Sequence, residues 1–247
     1  MTEEIIAGRN AVSEALKGNR SINKILITKG EKQGSIKEII AKARDKGLIV
    51  QETEAVKLSQ IIGNNNHQGI VAFVAPVEYV TTEEILKIAA DKQEDPFILL
   101  LDEIEDPHNL GAILRTADAA GVHGVLIPKR RASPLTATVA KTSAGAIEYV
   151  PVARIGNIVQ EINRLKKMGI WVVGADMAGE SNYYDADLRG PVAVVIGNEG
   201  KGIGRLVKEN CDFLVNIPMQ GKIGSLNASV ASSLLMYEIV RQRNGQG

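Results

Sequence analysis

Four short, uninterrupted apolar runs constrain the fold of this chain more than any other feature. They occur at Phe97–Leu101, Gly124–Ile127, Ile170–Val173 and Val192–Ile196. Strands that are buried on both faces of a parallel sheet read as continuous apolar runs, whereas half-exposed strands alternate. Segments with helical spacing and a terminal glycine lie between the runs. The sequence therefore predicts an open parallel α/β sheet, and ligands of such sheets bind beyond the carboxyl ends of the strands.

The first 75 residues have a different pattern, in which helices and shorter strands alternate within a compact α/β unit. An acidic stretch follows, and within it Thr81 and Glu84 have the spacing of a capping box that begins a short helix. We divide the chain into a first domain at residues 1–76, a linker at 77–96 and a second domain at 97–247.

Composition excludes several classes of protein. The chain of 247 residues has one cysteine, and its three histidines lack ligand spacing, so we expect neither a disulfide nor a metal centre. No apolar run reaches the length of a membrane span, and the N-terminus lacks an apolar leader, which favours a cytoplasmic protein. The net charge is zero, so RNA affinity would need local patches. The best candidate is Lys129, Arg130 and Arg131, although a solvated loop after a strand explains this triplet equally well.

Three segments follow predicted strands and carry residue types that suit a ligand site. In the first, Gly111 and Arg115 are four residues apart on one helix and share a face. Arg115 can bind a phosphate or ribose there, or it can form a surface ion pair with Asp118. The second segment, residues 196–202, matches neither the dinucleotide fingerprint nor the phosphate-binding loop. Its Glu199 is either a ligand contact or a solvated residue in a glycine-rich turn.

The third segment, residues 217–232, places glycines and small polar residues immediately before a long helix. We predict Ser225 as the N-cap of that helix, with Leu226 and Asn227 in its first turn. Capping explains Ser225, but it does not explain Asn227, because asparagine is a poor helix former away from a cap.

These segments together resemble the three ordered motifs of the SpoU-type (TrmH-like) RNA ribose 2′-O-methyltransferases. The matching residues are Asn109-x-Gly111-x-x-x-Arg115-Thr116, Ile196-Gly-Asn-Glu-Gly200 and Ile217-Pro-Met-x-Gly-x-x-x-Ser-Leu-Asn-Ala-Ser229. The segments 8–12 and 67–72 resemble the small, ribosomal-protein-like domain of the large-subunit ribosomal RNA guanosine methyltransferases. The resemblance implies a C-terminal trefoil knot, a homodimer with its site at the interface, and S-adenosyl-L-methionine as cofactor.

The resemblance also assigns roles to residues. Catalytic or ribose-orienting roles fall to Arg115, Asn109, Glu199, Ser225 and Asn227. Cofactor contacts fall to Gly174, Ala175, Ile196, Gly197, Ile217, Met219 and Leu226. RNA contacts fall to Arg9, Asn10, His67 and Gln68. The local basic patch adds Lys129, Arg130 and Arg131 as candidate RNA contacts, independently of the resemblance.

The implied reaction is methyl transfer to a ribose 2′-hydroxyl, with a guanosine of 23S ribosomal RNA as the expected target. Two alternatives of the same fold remain open: a transfer-RNA ribose methyltransferase and an antibiotic-resistance methyltransferase that acts on another ribosomal RNA site. A non-catalytic RNA-binding or ribosome assembly factor is the alternative from another class, and the intact site residues argue against it. Membrane partners are not expected.

Overall fold

The structure is a computed structural model that describes residues 4–18, 20–31, 34–222 and 224–245. The chain forms two compact units. Unit 1 consists of the residues up to 78 together with residues 134–149. Unit 2 consists of residues 79–133 and the chain from 150 onward. The chain therefore passes from one unit to the other three times, and the division differs from the one predicted from the sequence.

Unit 1 contains a mixed four-stranded sheet with the order β1-β4-β2-β3. Its strands are β1 (Glu4–Ala7), β2 (Ile22–Thr28), β3 (Ile49–Thr53) and β4 (Ile70–Val74). Its helices are α1 (Arg9–Lys17), α2 (Ser35–Asp45), α3 (Ala55–Ile62) and α6 (Ala137–Thr142), with a 3-10 turn at Ala146–Glu148. Strand β4 pairs antiparallel with β1 and β2, whereas β2 and β3 are parallel. Sequence periodicity predicts α1 to its observed bounds but misses the short strand β1.

Residues 134–149 were expected in the second domain, but their contacts place them in unit 1. The buried guanidinium of Arg20 is one link between this segment and the rest of unit 1, because it donates to the carboxylates of Glu4 and Glu148. Burial raises the pKa of Glu148, and the adjacent Arg20 partly offsets this by favouring the charged carboxylate. Removing one partner of such a pair leaves a buried charge uncompensated, which is strongly destabilising.

Unit 2 contains a seven-stranded sheet with the order β7-β6-β5-β10-β8-β11-β9, and every described pair in it is parallel. The strands are β5 (Phe97–Asp102), β6 (Gly124–Pro128), β7 (Val152–Ile155), β8 (Trp171–Ala175), β9 (Ser181–Asn182), β10 (Val192–Gly197) and β11 (Phe213–Asn216). The four apolar runs form β5, β6, β8 and β10, so the predicted open parallel α/β sheet is confirmed.

The helices of unit 2 are α4 (Thr82–Lys92), α5 (Pro107–Ala119), α7 (Ile158–Lys167), α8 (Arg205–Asn210) and α9 (Ala228–Asn244). Helix α4 occupies the stretch that we predicted as a linker. The predicted capping box is present, since Thr81 Oγ1 accepts from the Glu84 backbone N–H and Glu84 accepts from the Thr81 N–H. Ile85 is fully buried in the same core as Leu100, Leu126 and Val195. The acidic stretch is therefore a packed part of unit 2.

Candidate active site

A cavity of about 470 Å³ lies at the carboxyl ends of β8, β10 and β11. Its lining residues are Ala175, Asp176, Met177, Ile196, Gly197, Asn198, Glu199, Gly200, Lys201, Gly202, Val215, Ile217, Met219, Gly224, Ser225, Leu226, Ala228 and Ala231. The lining joins the second and third motifs with the end of β8. This is the edge at which a parallel sheet is expected to bind its ligand.

One wall of the cavity is the loop that follows β10, and a network of hydrogen bonds holds it. Within the loop, the carbonyl of Asn198 accepts from Gly202 N at 2.8 Å and its side-chain oxygen accepts from Gly200 N at 2.9 Å. The Asn198 amide donates to the carbonyl of Glu103 at 3.1 Å, and Gly204 N donates to Asp102 Oδ2 at 2.8 Å. The loop is therefore tied to the end of β5, and its backbone faces the cavity.

Gly197 stands where β10 enters this loop. A Cβ at this position would lie 2.2 Å from the carbonyl carbon of Gly202 and 2.3 Å from the nitrogen of Ile203. Both contacts are with backbone atoms, which cannot swing aside as a flexible side chain can. Glycine is required here because the backbone of Gly202 and Ile203 passes directly against it.

One polar residue from each of the three motifs takes part in a single chain of hydrogen bonds. Asn109, in the first turn of α5, donates through its amide to Glu199 Oε1. The Asn109 side-chain oxygen accepts from Asn227 Nδ2 at 2.9 Å. Asn227 Oδ1 in turn accepts from the backbone N–H of Ser229 at 2.9 Å. The network holds two amides and the carboxylate of Glu199, which lines the cavity.

The structure corrects the predicted start of the last helix. Asn227, not Ser225, is the N-cap of α9. Ser225 lies two residues before this cap with an exposed side chain, and it lines the cavity. Asparagine favours N-caps because its side-chain oxygen accepts from free N–H groups of the first turn. Capping thus accounts for the residue type that had no explanation, and it leaves Ser225 facing the cavity.

Arg115 lies on the exposed side of α5 and is not among the cavity-lining residues. Its guanidinium forms no hydrogen bond or ion pair with any residue that the structure describes. The neighbouring Thr116 hydroxyl lies 3.1 Å from Ser233 Oγ, which fastens α5 to α9. The first motif thus contributes Asn109 to the site of its own chain, and it leaves Arg115 available to another molecule.

Six of the seven predicted cofactor residues line the cavity: Ala175, Ile196, Gly197, Ile217, Met219 and Leu226. Gly174 does not. It is buried in β8, where a Cβ would lie 2.5 Å from Leu214 Cδ2 and 3.1 Å from Cys211 Sγ, so Gly174 serves packing. Sequence reasoning missed Asp176 and Lys201 as lining residues. Both follow predicted strands closely, and that position was the available signal.

The predicted RNA-contact residues of unit 1 lie together but differ in accessibility. Arg9 N donates to Gln68 Oε1 at 3.0 Å, and Arg9 Nε donates to the Gln68 carbonyl at 3.1 Å. The Arg9 guanidinium also pairs with Glu31. Asn10 and Gln68 are exposed. His67 is buried: its Nδ1 accepts from Gly69 N at 3.0 Å, and its Nε2 lies 3.2 Å from Ser59 Oγ. His67 therefore shapes the loop and does not present a surface for contact.

The basic triplet lies after β6 in unit 2, and all three residues are exposed. Arg131 pairs with Glu103 at 2.7 Å, whereas Lys129 and Arg130 have no carboxylate partner in the described part of the chain.

Two negative findings concern the described residues only. Their His, Cys, Asp and Glu side chains form no group of three that could hold a metal ion. None of their helices combines the length and apolar character needed to cross a membrane.

Comparison with known proteins places this geometry in a family. The profile of the SpoU rRNA Methylase family matches residues 96–237. The profile described as "RNA 2'-O ribose methyltransferase substrate binding" matches residues 5–80. A Bacillus subtilis (strain 168) protein, YacO, named for the TrmH family of tRNA/rRNA methyltransferases, is 50% identical over 244 residues, which is 99% of this chain and 98% of the relative.

Solved structures agree with the sequence comparison. The SpoU methyltransferase AviRb from Streptomyces viridochromogenes, in complex with the cofactor AdoMet, superposes with a TM-score of 0.82 at 26% identity, covering 98% of this chain and 91% of that one. An AdoMet-bound rRNA methyltransferase from Sinorhizobium meliloti gives a TM-score of 0.79 at 26% identity, covering 97% and 87%. The chain therefore belongs to the SpoU methylase family and is an RNA (ribose-2′-O-)-methyltransferase.

Proposed function

We propose that the protein transfers a methyl group from S-adenosyl-L-methionine to the 2′-hydroxyl of a guanosine in 23S ribosomal RNA, in the cytoplasm. The observation that carries the proposal is the hydrogen-bonded chain from Glu199 through Asn109 to Asn227. It joins one residue from each of the three motifs, and one of them, Glu199, lines the cavity.

The cavity suits the proposed cofactor. A volume of about 470 Å³ lies within the range of small-molecule sites. Ile196, Ile217, Met219 and Leu226 provide apolar walls for an adenine ring. The backbone of the glycine-rich loop, which lines the same cavity, offers N–H and carbonyl groups for polar edges. When bound there, the cofactor supplies a methyl group that its sulfonium already activates.

Residues of the chain then orient the ribose and assist removal of the proton from its 2′-hydroxyl. The carboxylate of Glu199 and the hydroxyl of Ser225 are exposed at the cavity. The carboxylate can accept from a ribose hydroxyl, and the serine hydroxyl can accept from it or donate to it. Arg115 is assigned to phosphate binding, because a guanidinium presents parallel N–H donors that match phosphate oxygens. It would bind a phosphate next to the target ribose, where its charge favours ionisation of the 2′-hydroxyl. The 2′-oxygen would bond to the methyl carbon as the carbon–sulfur bond of the cofactor breaks and leaves a neutral thioether, and the hydroxyl proton would pass to that phosphate.

A homodimer belongs to the same proposal. Val230, Leu234 and Tyr237 form an exposed apolar stripe on α9, with exposed fractions of 48%, 37% and 51%. A stripe of this kind marks an interface more often than it marks a monomer's surface. Because Arg115 does not line the cavity of its own chain, a second copy that packs against α9 would supply it. A trefoil knot in the C-terminal region would account for the backbone that passes against Gly197.

Ribosomal RNA is preferred over transfer RNA because unit 1 accompanies the methylase fold. Its match to the family's substrate-binding profile extends over residues 5–80. The exposed Asn10 and Gln68, with Arg9, form its candidate RNA-contact surface. Methylation of a different ribosomal RNA site, as a resistance enzyme would perform, uses the same two units and is separated from the proposal only by mapping the product.

The test is methyl transfer from labelled cofactor to 23S ribosomal RNA isolated from cells that lack this protein, followed by mapping of the 2′-O-methyl position. We expect one labelled guanosine ribose in 23S RNA and none in transfer RNA. Label in transfer RNA alone would overturn the choice of substrate. Cofactor binding without any transfer to RNA would overturn the catalytic assignment.

Arg115→Ala provides the matched active-site test. We expect turnover to be lost while calorimetry still shows cofactor binding, and Arg189→Ala, which removes an exposed arginine of the same unit, serves as the control. In an equimolar mixture with Gly197→Ala, random dimerisation should restore about a quarter of the wild-type rate if Arg115 acts across the interface. No recovery would contradict a shared site.

A further inference from the structure

A second, larger cleft of about 1030 Å³ lies in unit 2 beside the cavity. It is formed by the ends of β5 and β6, the start of α7, and the loop and helix that follow β10. Five cationic residues line it: Lys129, Arg130, Arg131, Lys201 and Arg205. Lysine and arginine at this density mark a surface for a polyanion.

The acidic residues of the cleft already have hydrogen-bond or ion-pair partners within the protein. Asp102 and Glu103 are its two carboxylates. Asp102 is buried, accepts from Gly204 N at 2.8 Å, and has a raised pKa because burial disfavours its charge. Glu103 pairs with Arg131. The carboxylates therefore do not cancel the remaining four positive charges.

The Glu103–Arg131 pair sets the shape of the rim. Both residues have left-handed backbones, with φ of 59° and 56°, a conformation that is uncommon outside glycine. The two loops are also joined by Ser133 N, which donates to the carbonyl of Ile104 at 2.8 Å. Such backbone strain persists only where surrounding contacts hold it, and it clusters at ligand sites. Arg131 thus stabilises the rim of the cleft, and its guanidinium is paired with Glu103.

Four cations remain for a ligand. Lys129, Arg130 and Lys201 form no ion pair with any residue in the described part of the chain. Arg205 is 84% exposed in its side chain and only 3.7 Å from Glu209, a loose pair that water weakens. These groups present unneutralised charge to the cleft.

Lys201 connects the cleft to the reaction site. It and Gly202 line both the cofactor cavity and the cleft, so the loop after β10 is the shared wall. A ribose at the cavity mouth therefore has its neighbouring phosphates beside the cleft. Several cations next to a nucleotide site suit a single-stranded RNA backbone, since phosphate contacts fix register without reading sequence.

We propose that the cleft binds the phosphate backbone of the RNA strand flanking the target nucleotide, through Lys129, Arg130, Lys201 and Arg205. The inference rests on the proposed function and adds the path of the strand and two residues, Lys201 and Arg205, that the motifs do not mark.

The test compares two triple variants of the full chain. The cleft variant is Lys129→Ala/Arg130→Ala/Arg205→Ala, and the control is Lys87→Ala/Lys167→Ala/Arg189→Ala, which removes three exposed cations of unit 2 away from the cleft. With 23S RNA as substrate, the cleft variant should raise KM about tenfold or more and change kcat by less than about twofold, because phosphate contacts position the strand. Cofactor affinity should match the control.

Direct binding separates this inference from the proposed function. For a labelled single-stranded 20-nucleotide RNA, the slope of log affinity against log salt should be smaller by about 0.7 per lost phosphate contact, so by about 2 for the cleft variant. Equal slopes and equal KM for the two variants would overturn the cleft assignment even if the wild type methylates RNA. A reduced slope in a protein that methylates no RNA would uphold the cleft and refute the proposed function.

Discussion

Replacing Gly197 by alanine tests whether close backbone approach builds the cavity. The new Cβ would lie 2.2 Å from the Gly202 carbonyl carbon and 2.4 Å from its oxygen, whereas ordinary contact begins near 3.4 Å. The loop after β10 would have to retreat by about 1.2 Å. That displacement stretches the 2.8 Å bonds from Gly202 N to Asn198 and from Gly204 N to Asp102 beyond hydrogen-bond range.

The expected loss of stability follows from the loss of these two hydrogen bonds. One neutral hydrogen bond contributes about 1 kcal/mol and one to a carboxylate about 2 kcal/mol, so Gly197→Ala should lower the free energy of unfolding by about 3 kcal/mol. For a unit of this size, Tm should fall by about 6 to 12 °C. Cofactor affinity should fall on the order of 100-fold, because the displaced loop is a wall of the cavity.

Thermal unfolding and calorimetric titration of the cofactor measure the two effects. The matched control is Gly190→Ala, since a Cβ at Gly190 meets no atom within 4 Å and the backbone there is not left-handed. We expect that control to be neutral or stabilised by up to about 1 kcal/mol. If both variants keep the wild-type Tm and affinity, the loop is not held as described and the argument is refuted.

Three further predictions follow from local structure. Thr81→Ala should lower stability by about 1 kcal/mol and raise amide exchange at the start of α4, and unchanged exchange would count against the packed capping box. Burial lowers the pKa of His123, so the unfolded chain binds a proton at this residue more readily than the folded chain does. The free energy of unfolding should therefore decline as pH falls below about 6.5. Urea unfolding at pH 7 and pH 5.5 should show a smaller decline for His123→Gln than for the wild type. Burial raises the pKa of Cys211 to about 12, so a thiol reagent at pH 8 should label the native protein far more slowly than the urea-unfolded protein, and equal rates would disprove it.

Short, continuous apolar runs account for most of the fold that the sequence alone could predict. They form the central parallel strands, in which nearly every residue of the four runs is buried, with the exposed Trp171 of β8 as the exception. Strand β1 and helix α6 were missed because four and six residues show no usable period. Residues 134–149 join unit 1 through distant contacts such as the ion pair of Arg20 with Glu148, and no local pattern reports a contact across 128 residues.

Motifs in the sequence predicted which side chains line the cavity better than they predicted what each glycine does through its backbone. Six of the seven residues predicted to contact the cofactor line the cavity, whereas Gly174 is packed inside β8, and glycine spacing in the sequence cannot separate these two positions. The cap of α9 was misplaced because Ser225 and Asn227 are both good caps. Lys201 and Arg205 were not recognised because an exposed cation has the same sequence signal wherever it lies.

The three passages of the chain between its units affect how the protein forms during synthesis. Unit 1 is not complete until residue 149 has left the ribosome, yet β5 and β6 of unit 2 are made before that point. Until then Glu148 is absent, and the buried guanidinium of Arg20 has only Glu4 as a carboxylate partner among the described residues. The first unit therefore cannot finish folding before synthesis of the second has begun, which departs from the sequential order that is usual for multidomain chains. A nascent chain stalled near residue 130 should retain a protease-sensitive N-terminal half, whereas one stalled with residue 149 well outside the exit tunnel should protect it.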